Sequence, residues 1–152
     1  MRKCPACQDT IMLDYGDDES ALVIDSCPEC FGLWFDGEEL SRFFQSPRLS
    51  QHILEEDAIP DVPSPSRPAE TRTCPQCQTP LRPSLLGDVN LDYCETCQGI
   101  WLDHGELNRV VELYNSGQRG NLVVVNQLAE GLRAEKRRQS FLRAALWLFS
   151  GD

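Results

Sequence analysis

At 152 residues the chain is short for two conventional domains, yet long enough for two metal-nucleated units with a linker and a tail. Its net charge of −10 is uneven: only residues 132–152 are basic, with five Lys and Arg against two Asp and Glu. This balance disfavours strong phosphate binding by the rest of the chain, because nonspecific nucleic-acid affinity depends on Lys and Arg displacing counterions. No apolar run approaches the roughly 20 residues that span a bilayer, so a transmembrane helix is not expected.

All eight Cys fall into Cys-x-x-Cys pairs, at 4/7, 27/30, 74/77 and 94/97. The start Met1-Arg2-Lys3-Cys4 has no apolar signal core, which favours a reducing, cytoplasmic setting in which such clusters bind metal more often than they form disulfides. Two knuckles brought together by a hairpin supply four thiolates. That donor set suits a closed tetrahedral site for zinc, or less readily for iron as in rubredoxin. Cys4, Cys7, Cys27 and Cys30 form one candidate site and Cys74, Cys77, Cys94 and Cys97 the other. Units this small need such a centre to stay folded. A closed site has no open coordination position, so no catalytic residue is expected.

In chain order, residues 1–46 read as the first unit. After Cys4-Pro5-Ala6-Cys7, Thr10 to Tyr15 reads as a strand, Gly16 to Ser20 as a turn, and Ala21 to Ser26 as the returning strand into Cys27. Pro follows the first Cys in three of the four knuckles and presets a turn, while Gly32 and Gly99 stand where φ > 0 is expected. Asp36 and Glu39 form a capping box for a short helix with Leu40, Phe43 and Phe44 on its apolar stripe, ending near Ser46-Pro47.

Residues 47–73 read as a linker. Leu49 to Ala58 could hold one or two helical turns, and 59–73, with four Pro, reads as an extended, semi-rigid spacer. His52 has no evident partner in it. Residues 74–117 repeat the first plan, with a strand near Leu81, a turn at Gly87-Asp88, and Val89, Leu91 and Tyr93 alternating into Cys94. Asp103 and Glu106 repeat the cap, with Leu107, Val110, Val111 and Tyr114 on the helix stripe. There are 16 residues between Cys77 and Cys94 against 19 between Cys7 and Cys27, a difference expected in the turn.

His104 is expected at the surface and not as a ligand, since the first unit has Gly37 there and four Cys already complete a site. Trp34 and Trp101 occupy equivalent places and are expected to be the main packing residues of each unit, although base stacking is the functional alternative.

Residues 118–152 read as an amphipathic helix, with an apolar run from Phe141 to Phe149 that is unlike a helix standing alone in water. Three placements stay open for it: packing on the second unit, docking in a partner's groove, or lying on a membrane surface with Trp147 as an anchor.

The signature Cys-Pro-x-Cys followed by Cys-x-x-Cys-x-Gly-Ile/Leu-Trp-Leu/Phe-Asp-x-x-Glu-Leu resembles the bacterial transcription-factor-IIB-type zinc-finger family, in two copies over about 4–44 and 74–114. The resemblance implies a small metal-bound α+β fold of two tandem zinc ribbons with two zinc ions. Glu95 stands where Pro is usual. Likeness of fold does not fix function. The residues favour a zinc-binding, non-catalytic adaptor or regulator that meets a protein partner through Leu122 to Phe149. Two alternatives stay open: a nucleic-acid-associated regulator using Arg133 to Arg143, and a redox protein of the rubredoxin or thiol-exchange kind. The oligomeric state is not legible.

Overall fold

The computed structural model describes residues 1–115 apart from 8, 18–20, 38, 44–45 and 63–66. The C-terminal helix expected over 118–152, with Trp147 and the basic cluster, lies outside the described residues, as does Phe44.

Each knuckle pair is mounted on a hairpin. In the first unit β1 (Leu13–Asp17) pairs antiparallel with β2 (Leu22–Ser26), in register from Leu13 opposite Ser26 to Asp17 opposite Leu22. The expected first strand is shifted toward the turn, and Ile11 contributes only a bridge to Lys3. In the second unit β4 (Arg82–Leu86) pairs with β5 (Val89–Tyr93). Of the three extra residues in the first unit, two fall in the turn and one falls between the knuckle and the strand.

Each unit also has a third strand, read from the sequence only as the approach to a helix: β3 (Leu33–Phe35) and β6 (Ile100–Leu102). These three-residue strands are buried throughout, so their uniformly apolar run shows no alternation. β3 pairs with β2 and β6 with β5, and β3 and β6 also pair antiparallel with each other, with Trp34 opposite Trp101. The two hairpins are thereby joined into one six-stranded sheet of order β1-β2-β3-β6-β5-β4.

The helices lie on one face of this sheet. α1 (Glu39–Phe43), α2 (Pro47–Asp57) and α3 (Glu106–Asn115) enclose a core that includes Ile24, Phe35, Leu40, Phe43, Ile53, Leu91, Ile100, Leu107 and Val110. Leu113, which the expected stripe omitted, belongs to it as well. The opposite face carries the cysteines, Met12, Leu81 and the two Trp, which are both 0% exposed, as packing residues should be.

The stretch 47–73 does more than connect. Where one or two turns were expected over Leu49 to Ala58, an 11-residue helix runs from Pro47 to Asp57, with Pro in its first turn and Leu49 and Ile53 in the core. Past it, Ala69–Thr71 forms a 3₁₀ turn and Arg72 is buried. The expectation of a spacer over the whole of 59–73 is corrected there: a guanidinium is buried where carboxylates meet it, and both of its carboxylate partners, Asp92 and Asp103, lie in the second unit.

Gly32 and Gly99 also need correction. The positive φ falls one residue earlier, at Phe31 (56°) and Gln98 (62°). A Cβ on Gly32 would lie 2.2 Å from Cζ2 of Trp101, and one on Gly99 would lie 2.1 Å from Cζ2 of Trp34. Each indole thus fills the space left by the glycine of the other unit, and these positions are glycine for room across the seam.

Gly99→Ala is expected to destabilise the chain by about 3 kcal/mol through overpacking against Trp34. Denaturant titration of the zinc-loaded protein checks this, and a change below about 0.5 kcal/mol, typical of surface positions, would contradict the interlock.

Candidate metal centres

The hairpins bring the knuckles together as the spacing predicted. The sulfurs of Cys4, Cys7, Cys27 and Cys30 all lie within 4.8 Å of one another, and those of Cys74, Cys77, Cys94 and Cys97 do the same. Cys4 Sγ is 3.8 Å from Cys30 Sγ, and Cys74 Sγ is 3.7 Å from Cys97 Sγ. Zinc–sulfur bonds of about 2.3 Å in a tetrahedron set sulfurs about 3.8 Å apart, so both quartets fit the ion.

The knuckle backbone is arranged for thiolate charge. Cys7 N–H donates to Cys4 Sγ at 3.2 Å, Cys77 N–H to Cys74 Sγ at 3.2 Å, and Cys30 N–H to Cys27 Sγ at 3.5 Å. Burial raises the Cys94 thiol, but N–H groups of the knuckle and the Thr79 hydroxyl outweigh it and bring Cys94 down to about 6. Cys97 is pushed up by burial and by its neighbouring thiols. Four crowded thiols do not all ionise without a cation among them.

Around each quartet runs the same polar chain. Trp34 Nε1–H donates to Asp36 Oδ1 at 2.9 Å, while Asp36 Oδ2 accepts from Arg2, which also donates to Asp25 at 2.6 Å. In the second unit Trp101 Nε1–H donates to Asp103 Oδ1 at 2.9 Å, and Arg72 donates to Asp103 at 2.9 Å and to Asp92 at 2.8 Å. The sequence reading missed Arg2, Arg72, Asp25 and Asp92. Their signal was present: each Arg stands two residues before the first knuckle of its unit and each Asp two residues before the second.

The two copies differ in burial. The side chains of Arg72 and Asp92 are each 5% exposed, whereas that of Arg2 is 32% exposed.

The capping-box carboxylates are where the sequence put them. Glu39 accepts from Asp36 N–H and Glu106 from Asp103 N–H, each at 2.7 Å. Burial, with Asp103 nearby, pushes the Glu106 carboxyl up to about 8, and burial pushes Glu39 up to about 7. α3 has a second cap from a residue the sequence reading did not single out. Asp57, at the end of α2, accepts from the N–H groups of Gly105 at 2.8 Å and Asn108 at 2.9 Å.

His104 stands outside both quartets but is only partly at the surface. Its Nε2 lies 2.6 Å from the Ile59 carbonyl oxygen, and its ring meets Phe31 of the first unit edge-on at 6.0 Å. His52 is exposed and pairs with Glu56 at 3.4 Å, one turn along α2.

Two four-sulfur knuckle sites on hairpins, each followed by a Trp strand and a capped helix, define a zinc-ribbon protein with two zinc sites. Comparison with family models agrees, since the family described as "Transcription factor zinc-finger" matches residues 3–46 and again 73–113. The chain belongs to that family, in two tandem copies. No curated protein and no solved structure matches it.

Two measurements follow. Arg72→Ala leaves Asp92 buried without its cation and is expected to cost about 3 kcal/mol. Arg2→Ala also strands a buried carboxylate, Asp25, but Arg2 is itself 32% exposed and water can take its place, so about 1–2 kcal/mol is expected. Equal losses in denaturant unfolding would contradict the asymmetry. For Glu106, the folded carboxyl keeps its proton from the ordinary value near 4.5 up to about 8, while the unfolded one releases it. Stability therefore falls as pH rises through that window. Glu106→Gln removes this dependence and is expected to gain about 1–2 kcal/mol on the parent between pH 6 and pH 9 at saturating zinc. A constant difference across that range would contradict the reading.

Proposed function

We propose that the chain is a zinc-stabilised, non-catalytic adaptor or regulatory module of the cytoplasm that recognises a protein partner. Cys4, Cys7, Cys27 and Cys30 would hold one zinc, and Cys74, Cys77, Cys94 and Cys97 the other. In this reading zinc supplies fold energy and no chemistry, since four thiolates leave no coordination position for substrate.

The observation that carries the reading is how each site is built into the scaffold. Both quartets lie under the sheet with the two Trp, and the polar groups around them are used to hold knuckle, strand and helix together. Charge gives the partner's class. Residues 1–115 contain eight Lys and Arg against 21 Asp and Glu, and four thiolates on a divalent ion add a further net −2 at each site. Such a body repels nucleic acid. The segment Leu122 to Phe149 is the proposed contact, because its apolar run needs a surface to cover it. Among the described residues no helix is long and apolar enough to cross a membrane.

The family's description and the basic cluster Arg133 to Arg143 favour the second reading, a nucleic-acid-associated regulator. Co-purification from lysate with and without nuclease, using the full chain and one ended after Leu132, separates the two. The adaptor reading expects a specific protein recovered by the full chain alone, indifferent to nuclease, whose purified form binds the purified chain directly. Recovery that vanishes with nuclease would favour the regulator. Elemental analysis should give two zinc per colourless chain, and iron absorption would support the redox alternative instead.

A further inference from the structure

We infer that the two zinc sites are inequivalent, and that the second quartet is where metal exchange and thiol modification begin. This rests on the ligand assignment proposed above. All four cysteines of the first quartet are buried, whereas in the second Cys77 and Cys97 are partly exposed.

The cause lies in how the chain crosses from one unit to the other. After α2 it passes over the first knuckle, where Arg67 N–H donates to the Ala6 carbonyl at 2.8 Å. Cys4, Pro5, Ala6 and Cys7 are all buried beneath it, with Ala6 at 0% exposure. The position equivalent to Ala6 is Gln76, which is exposed, and Pro75 beside it is only half-buried. A fold with near twofold repetition is thus made asymmetric by the one connection between its halves.

Thiolate reactivity depends on access as well as charge. The two-electron oxidant for this step is a small peroxide, hydrogen peroxide. Cys77 Sγ attacks one peroxide oxygen, the S–O bond forms as the O–O bond breaks, and hydroxide leaves. The Cys97 thiolate then attacks that sulfur, the S–S bond forms as the S–O bond breaks, and a second hydroxide leaves. Two protons turn both hydroxides into water, so two thiolates are oxidised to a disulfide and one peroxide is reduced. With two donors left the quartet releases its metal. The first quartet, with all four cysteines buried, keeps its own.

The test uses the full chain, first shown to carry two zinc; fewer than two would overturn the ligand assignment itself. Zinc release is then followed with a chromogenic chelator under limiting hydrogen peroxide, and in parallel with N-ethylmaleimide and peptide mapping. The expected result is two phases, with one zinc leaving roughly tenfold or more faster than the other and with Cys77 and Cys97 labelled first. Release of both ions in one phase, or earlier labelling of Cys4 to Cys30, would overturn the inference while leaving the two-zinc reading intact. Arg67→Pro removes the N–H that covers the first knuckle and should narrow the gap between the phases. An unchanged gap would overturn the shielding.

Discussion

The structure depends on the seam where β3 and β6 pair. Trp34 lies opposite Trp101 there, and each indole closes against the glycine that leaves the other unit's knuckle. Each indole, 0% exposed, is thus covered in part by the other ribbon. Burying such a side chain is worth on the order of 2–3 kcal/mol, a large share of what a unit of some 40 residues can collect. The repeat therefore solves a size problem: two cores too small to persist are combined back to back into one.

Metal and seam act on the same residues. The knuckles fix where the chain leaves Cys30 and Cys97, which sets the start of the short strands and aims the indoles across the sheet. The Trp Nε1–H groups are then held by Asp36 and Asp103, whose other oxygens tie back through Arg2 and Arg72 to the strands that carry Asp25 and Asp92. Knuckle, strand and helix start are thus one connected polar unit in each half.

The departures from twofold repetition come from the segment between the units. α2 packs on α3 and caps it through Asp57, while residue 67 covers only the first knuckle. The first quartet is fully buried, and the second is partly exposed at Cys77 and Cys97.

The knuckle spacing, the hairpins, the capping boxes and the grouping of eight cysteines into two sites were legible in the sequence, because each is set by contacts within a few residues or across one turn. The pairing of Arg2 with Asp25 and of Arg72 with Asp92 was written there too, as a repeated two-residue offset that charge pattern alone does not single out. What only the tertiary structure decided was the joining of the halves. β3 and β6 are short, uniformly apolar strands without alternation, and the reason for Gly32 and Gly99 lies in an indole some 70 residues away. Local preference speaks to φ and ψ, but it carries no information about which side chain will occupy the space beside a glycine once two edges of a sheet have met.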